Sequence, residues 1–297
     1  MKLSRREWLS MAGASTLAGA APPWRYAICS ETFAGASFAE ACLGAKRCGY
    51  DGIEIDPAQL APDPAALSPA ERSEIRNCMR APDLGYAGLH SFLRAPAGLH
   101  LTTRDASVRA RSWDYFRRMV DLAADLGAQP AMALGSSKQR MAVDGVAPAD
   151  AAKRLEEGLA GLAPFAEQRS VQILIEPLAP QLCNVVTTLE EAMAIVRAVG
   201  SPAVQTIFDT HNTAAEARPL PALLREYFPW IRHVHLNEMD GRRPGAGNFP
   251  FALVMRTLRE LGYRGWLSVE VFDFKPEGET VARQAVEYLR SIAAQAI

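Results

Sequence analysis

The sequence predicts a single α/β domain of the (β/α)8, or TIM, barrel type. Eight short apolar runs each precede a longer amphipathic stretch, and the 297-residue chain is long enough for eight such units. The first run is also not followed by a glycine-rich phosphate turn. A doubly wound open sheet, the rival architecture, would be expected to carry one, and Ser30-Glu31-Thr32-Phe33 stands in its place.

The units follow one another along the chain. Arg25–Ser30 leads to Phe38–Cys48, and Gly52–Ile55 to Pro69–Asp83. Gly85–His90 passes through a long segment, Leu93–Ala106, placed to cover the mouth of the barrel, before Val108–Leu126. Pro130–Leu134 precedes Pro148–Gln168, Val171–Pro177 precedes Leu189–Val199, and Val204–Asp209 precedes Leu220–Tyr227. Ile231–Leu236 with Phe251–Leu261, and Leu267–Phe272 with Thr280–Ala294, complete the eight. Most strand runs are rich in Ile, Val or Leu, as strands buried on both faces must be. The helical stretches repeat apolar residues every three or four positions. Nothing marks a second domain, so the barrel is expected over residues 21–297.

Composition narrows the function. The 32 basic and 33 acidic side chains nearly cancel, leaving no broad cationic face for nucleic acid or anionic lipid. Five cysteines, none in a Cys-x-x-Cys pair, argue against a disulfide framework or a four-cysteine zinc site. Residues 1–20 read as a leader: Lys2, Arg5 and Arg6 open it, an Ala/Gly/Leu stretch follows, and Ala18-Gly19-Ala20 offers a small-residue cleavage site. Ser4-Arg5-Arg6-Glu7-Trp8-Leu9 resembles the twin-arginine export motif. The apolar run is too short and too rich in Gly and Ala for a stable membrane span. The expectation is export of a folded protein by the twin-arginine machinery to the periplasm, with removal of the leader near Ala20. Residues 1–20 hold three basic side chains and one acidic, so the formal charge would change from −1 to −3. A periplasmic location favours an unphosphorylated substrate.

Ionisable residues close several apolar runs. Ile173-Leu174-Ile175 runs into Glu176, Thr206-Ile207-Phe208 into Asp209, and Leu267-Ser268-Val269 into Glu270, while His233 and His235 flank Val234. A carboxylate at a buried strand end needs a cation or hydrogen-bond donors. In a barrel these strand ends meet at one mouth. Three carboxylates and one imidazole form a mixed oxygen and nitrogen set for one divalent ion, with Mn2+, Mg2+ or Co2+ favoured and Zn2+ compatible.

The segments Ile175-Glu176-Pro177, Phe208-Asp209-Thr210-His211-Asn212, His233-Val234-His235-Leu236-Asn237-Glu238, Pro244-Gly245-Ala246-Gly247 and Ser268-Val269-Glu270 resemble the xylose isomerase-like sugar isomerase/epimerase barrels, in order and spacing. The resemblance implies that Glu176, Asp209, His235 and Glu270 bind one divalent metal and that Glu176 and Glu270 move the substrate proton. It also implies substrate contacts from His90, His211 and an arginine before the Pro-Gly-Ala-Gly turn, Arg242 ahead of Arg243. Ketose 3-epimerases of that family usually follow the fifth-strand glutamate with Asn-Arg and a further glutamate, where this chain has Leu178-Ala179-Pro180-Gln181-Leu182. Their sixth-strand histidine comes three residues after the aspartate, whereas His211 comes two after Asp209.

The expected activity is a metal-dependent sugar isomerase or epimerase working by proton transfer through an enediolate on an unphosphorylated sugar or derivative. The same enediolate can expel a neighbouring leaving group, so a lyase acting by β-elimination on 3-oxo-glycosides is the alternative. A non-catalytic sugar-binding barrel is a third reading, and an apurinic endonuclease is disfavoured by the acidic balance. A homo-oligomer is compatible with the sequence. Of the remaining candidates, His233 is expected in the core one layer below His235, and His100 on a loop surface. Glu54, ending the second strand, is expected either at the mouth or in solvent.

Overall fold

The protein is described by a computed structural model covering residues 24–295, and the expected leader lies outside the described residues. Eight parallel strands close in sequence order into a barrel: β1 Arg25–Cys29, β2 Gly52–Ile55, β3 Gly85–His90, β4 Ala131–Leu134, β5 Gln172–Ile175, β6 Val204–Asp209, β7 Ile231–Leu236 and β8 Trp266–Val269. The outer ring is α1 Phe38–Cys48, α2 Pro69–Arg80, α3 Ala106–Leu126, α4 Pro148–Gln168, α5 Leu189–Val199, α6 Leu220–Tyr227, α7 Phe251–Glu260 and α8 Gly278–Gln295. Short helical turns at Ser137–Arg140 and His211–Ala215 lie in the loops after β4 and β6.

Local chemistry sets several boundaries. Ser37 with Glu40, and Ser68 with Glu71, form reciprocal capping boxes that start α1 and α2. Gly49 ends α1 in the left-handed conformation. The strands β5 and β8 stop one residue before Glu176 and Glu270, earlier than the apolar runs suggest. Pro177, which has no N–H to give a ladder, follows the first of these carboxylates. Among the described residues, no helix is long and apolar enough to cross a membrane.

The main apolar core lies between the strands and the helices, and it includes Ile53, Leu89, Met132, Ile175, Phe208 and Leu267. Inside the barrel, Ala133, Leu174 and Ile207 from β4, β5 and β6 form a small separate cluster. Elsewhere the interior is polar, with Cys29, Glu54, His233, His235 and Ser268 all buried. At the end of the barrel where the strands begin, the ring of Trp266 lies so close that a Cβ on Gly52 or Gly85 would approach it to 2.7 Å. The guanidinium of Arg25 covers the same ring at 3.7 Å. With that end plugged, the accessible polar side chains are those where the strands finish.

Candidate active site

Four elements deliver the central group. Glu176 follows β5, Asp209 ends β6, His235 lies on β7 and Glu270 follows β8. One ligand atom from each falls within 4.8 Å of the others, and all four residues are buried. Nδ1 of His235 is 3.2 Å from Glu270 Oε2 and 3.6 Å from Glu176 Oε1, yet it has no hydrogen-bond partner. Its other nitrogen is held from behind, since Nε2 lies 3.1 Å from the Glu54 carboxylate. A carboxylate can only accept, so Nε2 carries a proton and Nδ1 is the nitrogen turned to the three acids; the surrounding carboxylates draw the ring towards protonation, and a metal ion would compete with that proton for the Nδ1 lone pair.

The charges of the group suit a bound cation. Burial raises the Asp209 carboxyl well above the ordinary range, and repulsion from Glu176 and Glu270 raises it further. Burial also acts to raise Glu270, but the imidazoles of His235 and His90 outweigh it and hold that carboxyl low. Three clustered acids and an unpartnered imidazole nitrogen fit a divalent ion with oxygen and nitrogen ligands. Cys29 is also near Glu54 and His235. Burial pushes its thiol up, however, so it remains protonated and is a poor ligand.

The backbone leaves room for this arrangement. Gly135, after β4, abuts Glu176 so closely that an added Cβ would overlap Oε2 of its carboxylate. Asn212 donates from Nδ2 to Asp209 and to Glu176 Oε1, while its Oδ1 accepts from the Ala179 N–H at 2.9 Å. It stands three residues after Asp209. The fully buried Arg140 donates to the carbonyls of Gly135, Val185 and Glu176, tying the loops after β4 and β5 together.

The other expected residues divide. His90 is buried between Glu31 (2.9 Å from Nε2) and Glu270 (3.2 Å from Nδ1), within the central group. His211 gives its backbone N–H to Asp209 Oδ1, and its ring is anchored at the Glu238 carbonyl, 3.1 Å from Nδ1, with an edge against Phe272. Arg242 is not brought into the cleft, because its guanidinium is engaged by Asp240 on the exposed side of the loop. Arg243 reaches only the Pro244 carbonyl. The Pro244–Phe249 turn is organised instead by Glu238, whose carboxylate accepts from the N–H groups of Gly245, Gly247 and Phe249.

Two residues differ from expectation, and a third meets it through a contact the sequence did not show. Glu54 is fully buried rather than solvated, because the imidazoles of His233 and His235 converge on it. Burial opposes its charge, but the two imidazoles prevail and hold it well below the usual carboxylate range. His233 is buried as expected, but through a 2.8 Å hydrogen bond to Glu54 and not through apolar packing alone. His100 is on the loop but half-buried: its Nδ1 accepts from the N–H groups of Thr102 and Thr103, shaping the long segment after β3. Asn212, Glu31, Arg140 and Gly135 carry no role in the sequence reading. Only Asn212, three residues from a strand-end aspartate, offered a signal.

Above the group a cleft of about 300 Å³ opens to solvent, with Glu176, Glu270 and Asn212 among its lining residues. Residues 44–292 match the family model described as a xylose isomerase-like TIM barrel. The chain belongs to this family. A D-psicose 3-epimerase of Agrobacterium fabrum is 30% identical over 229 residues, covering 76% of each chain. A fructoselysine 3-epimerase of Shigella flexneri is 27% identical over 257 residues, 84% of this chain and 90% of the relative. Among solved structures, a D-psicose 3-epimerase in the presence of D-fructose superposes with a TM-score of 0.78 at 24% identity, covering 90% of this chain and 99% of that one. A 3-keto-D-glucoside 4-epimerase of E. coli superposes with a TM-score of 0.79 at 17% identity, covering 91% and 100%. As a member of the xylose isomerase-like family with sugar epimerases among its relatives, the protein is an isomerase-type enzyme.

Proposed function

We propose that the protein is a divalent-metal-dependent epimerase or isomerase acting on an unphosphorylated sugar or sugar derivative. The observation that carries the reading is the buried, unpartnered Nδ1 of His235 facing three carboxylates. Glu176, Asp209, His235 and Glu270 would hold the ion. When bound, it supplies Lewis-acid stabilisation of the negative charge that develops on the substrate oxygens.

The remaining chemistry belongs to the side chains. Glu270 takes the proton from the carbon next to the carbonyl, leaving an enediolate, and Glu176 supplies a proton from the other side. A buried carboxylate acting as general base contributes roughly 10²–10⁴-fold. His90 orients Glu270, and Asn212 orients Glu176 and Asp209. Asp209 serves as a ligand only.

A second reading is supported by one specific feature. Leu178-Ala179-Pro180-Gln181-Leu182 stands where the resemblance leads one to expect Asn-Arg and a further glutamate in a ketose 3-epimerase, which favours a substrate other than a free ketose; β-elimination on a 3-oxo-glycoside begins with the same proton. The test is to incubate metal-loaded enzyme in D2O with free ketoses and with 3-oxo-glycosides, following exchange and products by NMR. Epimer formation with deuterium at the carbon next to the carbonyl supports the first reading. Release of the aglycone supports the second, and no exchange with any of these substrates overturns both. The substrate class also rests on location, since export through the leader would keep the enzyme from sugar phosphates.

A further inference from the structure

Among the described residues five large apolar side chains are prominently exposed, and two of them, Leu182 (40%) and Phe272 (51%), line the cleft above the carboxylates. Leu178 lines it as well, immediately after Pro177. Leu178 and Leu182 come from the loop after β5 and Phe272 from the loop after β8. These strands are three steps apart in the closed barrel order, so apolar side chains border the cleft from well-separated positions. The Phe272 ring is supported from behind, as a Cβ on Gly241 would approach it to 2.8 Å and the His211 ring meets it at a 5.0 Å centroid distance. Supported large apolar groups left in water at a cleft gain free energy only when a ligand covers them.

The loops after β3 and β4 give the same cleft a polar lining. Ser91 and Ser136 hold left-handed backbone conformations, with φ of 50° and 33°, which cost energy for non-glycine residues. The Ser136 hydroxyl is buried without a partner. A cleft with unspent hydroxyl-binding capacity beside a large apolar surface suits a ligand that is itself polar at one end and apolar at the other.

We propose that the substrate is an oxidised (3-oxo) glycoside with an apolar, preferably aromatic, aglycone. The aglycone lies against Leu178, Leu182 and Phe272 while the sugar reaches the carboxylate group and Ser136. This rests on the sugar-directed reading above and narrows its substrate class. Continuity with that group favours a substrate moiety as the occupant over a second protein. Methyl and phenyl β-D-glucosides, which carry no carbonyl for enolisation, report on binding without turnover.

Calorimetry with the metal-loaded full chain should find the phenyl glucoside bound at least about 10-fold more tightly, within the roughly 10–200-fold that a small apolar difference yields in a pocket. Phe272→Ser and Leu182→Ser, both at exposed positions, should each shrink that ratio towards one. Equal affinity for the two glucosides, measurable binding of neither, or a ratio unaffected in both variants would overturn the proposal. Deuterium exchange on 3-oxo sugars is scored separately. A phenyl preference without exchange leaves the aglycone site standing and removes the proton-transfer reading, whereas exchange without a preference does the reverse.

Discussion

Replacing Glu54 with Gln tests whether a carboxylate behind the ligand group fixes the state of His235. Glu54 receives Nε2 of His233 at 2.8 Å and Nε2 of His235 at 3.1 Å, in a fully buried site. Glutamine keeps the shape but removes the charge, and with its oxygen in the place of Oε2, which receives both imidazoles, its NH2 group stands where Oε1 lies 3.1 Å from His235 Nε2, donor facing donor. Loss of the charge and the donor–donor contact both favour moving a proton from Nε2 to Nδ1. On His235 that proton occupies the lone pair facing Glu176 and Glu270; on His233 it has no acceptor, because that Nδ1 has no partner. Losing one charge-assisted bond and leaving a buried polar group unpaired costs about 3 kcal/mol. For a protein of this size the melting temperature should fall by about 5–10 °C, measured in chelator so that metal binding does not contribute. Metal affinity should fall about 10–100-fold, as is usual when a ligand histidine loses its supporting carboxylate. Chelator-competition titration of the folded variant is the assay. Unchanged affinity would refute the argument that Glu54 sets the tautomer of His235.

Three further outcomes follow from the same geometry and sequence. Gly135→Ala should displace the Glu176 carboxylate and lower turnover by about 10²-fold, with circular dichroism unchanged, since misplacement near 1 Å has that effect; normal turnover would mean that Glu176 is not held there. Burial lowers the pKa of His100, so the folded state resists protonation, and its contribution, present above the ordinary histidine range, is lost as pH falls through it. His100→Asn should therefore lose less stability than the parent chain between about pH 7.5 and about pH 5, and identical denaturation profiles would exclude that role. A reporter carrying residues 1–30 should be exported only by an intact twin-arginine system, and Arg5→Lys with Arg6→Lys should retain it inside the cell; continued export of the double variant would argue against the motif.

The barrel was legible because its signals are local and repeated. Runs such as Ile173-Leu174-Ile175 and Thr206-Ile207-Phe208 are apolar on both faces, and the stretches between them keep a helical period. Four strand-end residues could be grouped because barrel closure brings strand ends together whatever their separation in sequence. The fate of Glu54 was not legible, because it depends on two histidines about 180 positions away whose inward direction follows from barrel closure. Arg140 sits in a loop, where an arginine is ordinarily solvated, and only the folded loops show three carbonyls closing around it. The resemblance pointed to Arg242, and that its guanidinium pairs with Asp240, two residues before it on the exposed side of the loop, follows from the local fold of the turn.

The central claim is that Glu270 moves a substrate proton at a metal-holding group. Glu270→Gln keeps an oxygen able to coordinate but removes the base. The direct measurement is solvent-deuterium exchange at the carbon next to the substrate carbonyl, compared between parent and variant at equal, verified metal content. The account predicts that the variant folds, retains metal more weakly, and loses exchange by about 10²–10⁴-fold. Near-normal exchange in metal-loaded Glu270→Gln would contradict it and leave Glu270 a ligand at most.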